Sequence, residues 1–427
     1  MKVQKVHVEY LKEDYFVAKI DNGLTIYLLP KRDFSETYVS LTSHFGAIHT
    51  SVSLSNDEER NYPAGVAHFL EHKLFEMEDG QDAIQEFSSY GAEANAYTGL
   101  TQTSYLFSTT ENILAPLALL QEMVSSTKFT ELSIEREREI IAQEIDMYLD
   151  DPEFVLHNQI LASLYPNTPL AEDIAGTRTS IQEITPKILR ESHEVFYHPS
   201  NLTMVIVGSF DVDKTLQEVY NFQMNWHPGF ARDKKVRQLE LNPVIKKKSQ
   251  FMEVAQAKLA FGVRRNQVKE IDDILYYRTC LSLFCSMLFG WTSERYQRLY
   301  EDGKIDSAFS YYVDVQQEFQ YFVLTMDTKE PIGLAGQIRR VLKNFEEDRD
   351  LSEEHLSLLK KEMMGDFLRS LNSVGFLAQQ FIENLTVNRN YFDLPQLLEE
   401  ISLEDVINIA KDFLENCDMT DFIIFPK

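Results

Sequence analysis

Two histidines stand four residues apart in the segment His68-Phe69-Leu70-Glu71-His72. On a helix this spacing is about one turn, so both imidazoles project from the same face and can bind a single metal ion. Glu71 directly precedes the second histidine, close enough to that face to polarise a metal-bound water without being a ligand itself. The order H-x-x-E-H is the inverse of the H-E-x-x-H zinc motif. The segment therefore predicts a zinc site with a carboxylate base beside it.

A zinc ion needs a third protein ligand, and a catalytic site leaves its fourth position to water. The best donors in the sequence are Glu137 and Glu144, which stand seven residues apart on one predicted helix and therefore share a face. The same helix carries the apolar residues Ile140, Ile141 and Ile145 beside them. A carboxylate on the core-facing side of a helix is costly unless it is paired or bound to metal. We therefore expect this helix to supply the third ligand.

The elements that must position these residues occur twice along the chain. A helix-then-strand pattern over 184–207 recurs 217 residues further on, over 401–424. A second pattern, two strands joined by a polar turn, is found over 91–109 and again over 303–326. Two patterns repeated in the same order predict a duplicated domain.

The fold class follows from how strands and helices are distributed. Strand-like runs near the start of the chain, over 24–29 and 38–41, precede long helical patterns such as 131–149 and 352–371. The lack of strict alternation between strands and helices is typical of an α+β fold. We expect two homologous domains, each with a mixed, mostly antiparallel sheet covered by helices.

The length also requires more than one core, because single cores stop growing near ~250 to 300 residues and the chain has 427. Residues 226–250 form a basic, proline-bearing segment in an acidic protein, which is typical of a surface connection. The predicted organisation is a metal-binding domain over 1–225, a linker over 226–250 and a homologous domain without a metal site over 251–427.

Composition excludes several classes of function. The chain has 41 basic and 67 acidic side chains, and its net charge of −26 argues against nucleic-acid binding, which needs a basic footprint. The longest apolar stretch, Leu281 to Trp291, is about half of the ~20 residues that a membrane helix needs. No secretory signal is readable, and three cysteines without C-x-x-C spacing fit reduced thiols. We expect a cytoplasmic protein that binds neither nucleic acid nor membrane.

Further segments extend the pattern around the histidines along nearly the whole chain. They are Asn95-Ala96-Tyr97-Thr98, Glu137-Arg138, Glu144-Ile145, Pro169-Leu170-Ala171, Ile174-Ala175-Gly176-Thr177, Tyr197-His198-Pro199-Ser200-Asn201-Leu202 and Leu288-Phe289-Gly290-Trp291-Thr292-Ser293-Glu294-Arg295. With these segments the chain resembles the pitrilysin/insulinase (M16) family of zinc peptidases, which includes the mitochondrial processing peptidases. Within that family it is most similar to the short bacterial members built from two homologous halves. The resemblance implies the LuxS/MPP-like metallohydrolase fold.

The resemblance also implies a role for each residue already singled out. His68, His72 and Glu144 become the ligands of one zinc ion per chain, and Glu71 becomes the general base. Glu137 becomes the carboxylate that orients a ligand histidine through a hydrogen bond.

Asn95 and Ala96, by the same resemblance, lie on an edge strand to which an extended peptide adds as a further strand. The implied function is a zinc-dependent endopeptidase that cleaves short or unfolded peptides with a metal-activated water and a glutamate base. The alternative is a non-catalytic or partner-dependent scaffold subunit of a peptidase-like complex.

The second half departs from the family pattern. Active members usually carry an arginine and a tyrosine, seven residues apart, that reach the substrate and the oxyanion, and this chain has Tyr300 and Ser307 at the matching positions. Tyr300 brings no cationic fork, and Ser307 is too short for the task. Either a homologous subunit supplies the arginine and tyrosine in a dimer, or Arg298 and Tyr311 replace them and the chain works alone or as a homodimer.

Overall fold

The computed structural model describes residues 1–54, 58–77, 80–228 and 234–427. The chain forms two compact units that interleave along the sequence. The first unit comprises residues 1–146, 172–237 and 370–383, and the second comprises residues 147–171, 238–369 and 384–427. The predicted linker includes residues 229–233, which lie outside the described residues. The domain boundaries 1–225, 226–250 and 251–427 stay a prediction.

The strands of the described residues are β1 (Lys2–Val8), β2 (Glu13–Lys19), β3 (Thr25–Pro30), β4 (Thr37–Ser43), β5 (Ser51–Leu54), β6 (Glu59–Asn61), β7 (Ala92–Thr98), β8 (Thr103–Thr109), β9 (Leu202–Gly208), β10 (Lys234–Val236), β11 (Lys247–Met252), β12 (Lys258–Arg265), β13 (Ser310–Val315), β14 (Gln320–Asp327) and β15 (Cys417–Pro426). The α-helices in the same residues are α1 (Val66–Leu74), α2 (Ala83–Ser89), α3 (Leu114–Ser125), α4 (Glu131–Leu149), α5 (Pro152–Leu164), α6 (Pro186–Phe196), α7 (Val212–Asn225), α8 (Ile274–Phe289), α9 (Glu294–Glu301), α10 (Pro331–Lys343), α11 (Glu353–Ser370), α12 (Val374–Glu383), α13 (Leu394–Glu400) and α14 (Leu403–Glu415).

The first unit is built on a seven-stranded sheet in the order β1-β2-β3-β9-β4-β8-β7. Neighbouring strands are antiparallel except β3 and β9, which run parallel. A small sheet in the order β10-β5-β6 lies in the same unit. Strand β7 is at an edge, so one side of its backbone has no strand partner within the described residues.

The second unit repeats this arrangement in a five-stranded sheet. Its order, β11-β15-β12-β14-β13, matches β3-β9-β4-β8-β7, and again only the first pair runs parallel. The helices that precede the two central strands are capped alike, because Thr185 accepts from the Ile188 N–H of α6 and Ser402 from the Asp405 N–H of α14. The α+β class and the duplication predicted from the sequence are therefore confirmed.

Strand β9 is buried on both faces, which explains its continuous apolar sequence. Met204 and Ile206 belong to the main core of the first unit. Val205 and Val207 are equally buried but lie outside that core, on the face where α12 packs against β4 and β9. A helix from near the end of the sequence therefore completes the first unit.

Helix α5 has the matching position in the second unit, where it packs on β12 and β15. Gly262 of β12 lies beneath this helix, since a Cβ there would be 2.8 Å from Leu164 Cδ1 and 3.0 Å from Ile160 Cγ1. Each main sheet is thus covered on one face by a helix from the opposite half of the sequence.

The three cysteines form no disulfide within the described residues. Cys280 and Cys285 are buried, Cys417 is half-buried, and all three are free. None of the helices in the described part of the chain combines the length and the apolar character needed to cross a membrane.

Candidate metal and active site

Helix α1, which carries both histidines, begins at a close contact between two backbone segments. Gly65 has φ +89°, and a Cβ there would lie 2.5 Å from the carbonyl oxygen of Ala175. Gly176 has φ +80°, and its Cβ would lie 2.5 Å from the carbonyl oxygen of Ala64. Ser180 Oγ donates a hydrogen bond to the same Ala64 oxygen at 2.8 Å. Only glycine accepts both the left-handed backbone and this approach, so the start of α1 is fixed against the loop around Gly176.

Helix α4 is fastened to the same loop. Arg138 Nε donates to the carbonyl oxygen of Ile181 at 3.1 Å, and Arg138 Nη2 donates to that of Ile184 at 2.9 Å. The loop over 175–184 therefore holds the start of α1 and the middle of α4 together, and this sets the spacing between the two helices.

The buried face of α4 includes fewer of the three isoleucines than the sequence suggested. Ile141 and Ile145 are buried, whereas Ile140 is 54% exposed. Because neighbouring helical residues project about 100° apart, the residue next to Ile141 turns towards solvent. Glu137 and Glu144 flank the buried face, with side chains 17% and 23% exposed.

The ligand atoms of His68, His72 and Glu144 converge. His68 Nε2 lies 3.7 Å from Glu144 Oε1, and His72 Nε2 lies 3.6 Å from Glu144 Oε2. Ligands placed ~2.0 Å from a tetrahedral zinc ion stand about 3.3 Å apart, so the spacing fits that ion. Within the described ranges this is the only group of three or more His, Cys, Asp or Glu side chains so arranged. The donor set suits zinc, and manganese or cobalt would be tolerated.

Glu137 fixes the ring of His72. Glu137 Oε1 lies 3.0 Å from His72 Nδ1. Because an ionised carboxylate only accepts, Nδ1 must carry the proton, and Nε2 keeps its lone pair for a metal. His68 Nδ1 is buried and has no hydrogen-bond partner among the described residues.

Burial and charge act differently on the two rings. Burial, followed by the neighbouring His72, lowers the pKa of His68 to about 3. Burial also lowers the pKa of His72, but the hydrogen bond and charge of Glu137 and the other nearby carboxylates outweigh it, so this pKa is raised overall. His68 is therefore neutral at neutral pH, as a ligand must be. The surrounding carboxylates give a negative environment that a divalent cation compensates.

Glu71 lies on α1 between the two histidines and is 8% exposed. Thr98 Oγ1 donates a hydrogen bond to Glu71 Oε2 at 2.5 Å. Burial raises the pKa of Glu71, and the hydrogen bond from Thr98 opposes that shift. A buried carboxylate with a raised pKa beside metal ligands has the character of a general base.

An open cleft of about 560 Å³ connects these groups with edge strand β7. Glu71, His72 and Glu137 line one part of it, and Asn95 and Ala96 line another. Asn95 Oδ1 accepts a hydrogen bond from the Ala96 N–H at 2.8 Å. The cleft thus joins Glu71, His72 and Glu137 to Asn95 and Ala96, while His68 and Glu144 lie next to His72. The roles assigned to these residues stay predictions.

The residues of the second unit discussed above occupy different environments. Tyr300 and Ser307 are exposed, with Tyr300 on α9. Arg298, on the same helix, is also exposed. The hydroxyl of Tyr311, in contrast, is hydrogen-bonded to Ser286 Oγ. Tyr311 is therefore less available than Arg298 to replace a substrate-binding side chain.

Sequence reasoning assigned no role to four residues that shape this site: Gly65, Arg138, Gly176 and Thr98. A glycine directly before the histidine helix is a readable signal for a constrained helix start. Thr98 offers no local signal, because its partner Glu71 is 27 residues away in the sequence.

Comparison with known proteins identifies the family. Residues 43–178 match the family model described as Insulinase (Peptidase family M16), and residues 183–363 match the one described as Peptidase M16 inactive domain. The Bacillus subtilis (strain 168) protein named uncharacterized zinc protease YmfH is 36% identical over 429 residues, which cover 100% of both chains. The chain belongs to the M16 (insulinase) peptidase family, and its short two-domain form fits that membership.

Solved structures share the fold. A chain from Alicyclobacillus acidocaldarius described as an M16-like peptidase has a TM-score of 0.91 at 27% identity, covering 100% of this chain and 99% of that one. A protease from Helicobacter pylori has a TM-score of 0.80 at 19% identity, covering 96% of this chain and 99% of that one. The relatives named as zinc proteases support a metallopeptidase with zinc as its metal.

Replacement of Gly65 by alanine tests the backbone contact at the start of α1. Gly303 offers a matched control, because it has φ +63° but nothing within 4 Å of its Cβ position. Both substitutions carry the left-handed cost of roughly 1–2 kcal/mol, and Gly65→Ala adds an overpacking cost of about 1–3 kcal/mol. We expect denaturant unfolding to show a larger loss of unfolding free energy for Gly65→Ala than for Gly303→Ala. Competition with a chelator should show weaker zinc binding for Gly65→Ala only. Equal losses in the two variants would contradict the role of this contact.

Replacement of the α4 glutamates tests the ligand assignment. We expect Glu144→Gln to weaken zinc binding by more than 100-fold because it removes a charged ligand, and Glu137→Gln by about 10- to 100-fold because it only orients His72. Glu135→Gln, an exposed position on the same helix, should leave affinity unchanged. Competition with a chromogenic chelator measures all three. A larger loss for Glu137→Gln than for Glu144→Gln would reverse the assignment.

Proposed function

We propose that the protein is a zinc-dependent endopeptidase that cleaves short or unfolded peptides. The observation that carries this proposal is the convergence of His68, His72 and Glu144, together with a cleft that Glu71 and His72 share with edge strand β7. Membership of the M16 peptidase family supports the same reaction class.

His68, His72 and Glu144 would hold the zinc ion, one per chain. Bound there, zinc would lower the pKa of a coordinated water towards ~7 and polarise the scissile carbonyl. Glu71 takes the proton of the attacking water and returns it to the leaving amine. Glu71 is almost completely buried, and burial raises its pKa. A higher pKa makes the carboxylate a better acceptor of the proton from water, and the resulting acid can still protonate the leaving amine. Glu137 keeps His72 in the tautomer that leaves Nε2 available.

Edge strand β7 is the proposed binding site for the substrate backbone. Its outer side has no strand partner in the described part of the chain, so an extended peptide can add as a further strand. Asn95 and Ala96 on this strand line the same cleft as Glu71. Strand addition needs an extended chain, which selects short or unfolded peptides over folded proteins.

The exposed Tyr300 and Ser307 support a partner-dependent enzyme. We propose that a homologous subunit supplies an arginine and a tyrosine in a dimer, since Tyr300 provides no cationic fork at the arginine position and Ser307 is too short to replace the phenol at the tyrosine position. A non-catalytic or partner-dependent scaffold subunit is the second candidate function, because it also accounts for these two residues. The three free cysteines support a cytoplasmic location.

Replacement of Glu71 by glutamine separates enzyme from scaffold. Glu71 is not a proposed ligand, so zinc should stay bound, whereas loss of the base should lower kcat by about 10²- to 10⁴-fold. Turnover of quenched-fluorescent peptides and zinc content are measured together, with Glu135→Gln as the control. Unchanged turnover with zinc bound would exclude Glu71 as the base.

The purified chain tests the need for a partner. We expect weak peptide cleavage by the zinc-loaded chain alone and a gain when Tyr300→Arg and Ser307→Tyr are combined, because the pair restores a charged and a phenolic donor. Full activity of the unmodified chain would contradict the partner-dependent form, and light scattering would then distinguish a monomer from a homodimer.

A further inference from the structure

The carboxylate of Glu71 is held by a single side chain. Its Oε2 accepts from Thr98 Oγ1 at 2.5 Å, and its Oε1 makes no hydrogen bond to the residues that the structure describes. A buried carboxylate without a donor is costly, and hydrogen bonds to ionised groups are among the strongest in proteins. The hydroxyl of Thr98 therefore determines which oxygen of Glu71 is engaged and which is left open.

The direction of this hydrogen bond follows from counting protons. Thr103 Oγ1 donates to the carbonyl oxygen of Phe45 at 2.8 Å, so its proton is committed there. Thr98 Oγ1 lies 3.2 Å from Thr103 Oγ1 and 2.5 Å from Glu71 Oε2. Because a hydroxyl has one proton, and the shorter, charge-assisted contact is stronger, the proton of Thr98 points at Glu71.

The backbone fixes Thr98 independently of Glu71. Thr98 and Thr103 are opposite each other at the end of the β7–β8 pair. The turn between them is closed by the Gly99 N–H bonded to the Gln102 oxygen at 2.8 Å and held by the Ala47 N–H bonded to the Gly99 oxygen at 3.0 Å. The hydroxyl thus comes from a strand end that is held by backbone hydrogen bonds, while Glu71 comes from α1.

Two buried tyrosines, Tyr105 and Tyr197, lie close enough to Glu71 to be affected by its charge. The hydroxyls of Tyr105 and Tyr197 are 2.8 Å apart. Burial raises the pKa of both, and the nearby charge of Glu71 adds to the shift. They remain neutral and bond to each other, so they bring no cation to balance the carboxylate. Among the described residues, Thr98 is the one whose side chain donates a hydrogen bond to the carboxylate of Glu71 and can therefore orient it.

We infer that Thr98 is the positioning residue of the general base: its hydroxyl anchors Oε2 of Glu71 and leaves Oε1 to receive the proton of water. The inference rests on the proposed function, in which Glu71 acts as the base. It assigns β7 a second role, because the strand proposed to bind substrate also carries the group that orients the base.

Valine is the matched replacement, since Thr98→Val keeps the shape and removes the hydroxyl, whereas Thr98→Ser keeps the hydroxyl. The control is Thr109→Val at the other end of the same strand pair, where the hydroxyl donates to the Gly91 oxygen and has no contact with Glu71. We expect Thr98→Val to lower kcat by about 10- to 100-fold, with KM and zinc content within about twofold. Thr98→Ser should retain most of the activity, and Thr109→Val all of it.

Two further measurements separate positioning from general packing. In the Glu71→Gln background Thr98→Val should cause no additional loss, because the group that it orients is gone. In crystal structures Glu71 should keep its side-chain conformation in Thr98→Ser and leave it in Thr98→Val. An unmoved Glu71 in Thr98→Val, an equal loss of kcat in Thr98→Val and Thr98→Ser, or a further loss in the Glu71→Gln background would overturn the inference. Absence of zinc-dependent cleavage by the unmodified chain would instead reject the proposed function, and the crystal structures would still decide the role of Thr98.

Discussion

The backbone contact between Gly65 and the loop around Gly176 is the constraint on which the rest of the site depends. His72 on α1 and Glu137 on α4 are 65 residues apart in sequence. The side chains of the two helices converge on one candidate metal site only if the helices lie at the right distance from each other. The loop contacts α1 through backbone atoms and α4 through Arg138. Backbone packing has no rotamers to adjust, so it fixes helix positions more tightly than side-chain packing would.

The charge arrangement on the same helices suits a bound cation. Glu71, Glu137 and Glu144 lie around the imidazoles of His68 and His72, whose pKa values shift in opposite directions. Burial lowers the pKa of His68, and the carboxylates raise that of His72. A divalent ion bound among these carboxylates would offset their charge. Metal binding at this site would then also contribute to the stability of the first unit.

The sequence predicted the parts of the site that depend on helical period. The four-residue spacing of the histidines and the seven-residue spacing of Glu137 and Glu144 determine shared faces without knowledge of the fold. Which glutamate reaches the metal depends on how α4 crosses α1, and only the family resemblance chose Glu144. The hydrogen bond from Thr98 to Glu71 lies beyond any local pattern, because it joins a strand end to a helix that precedes it by 27 residues. The exposure of Ile140 likewise depends on the rotation of α4 against its core.

Duplication explains the common strand order, but each copy is completed by a helix from the other half of the sequence. Helix α12 covers Val205 and Val207 of β9, and α5 covers Gly262 of β12. Without its covering helix the central strand would expose an apolar face to water, at a cost of about 25 cal/mol per Å². Folding of the first unit therefore requires chain that follows β14 of the second sheet. The duplication is uneven in one further respect, because the described residues place a candidate metal-ligand cluster in the first unit alone.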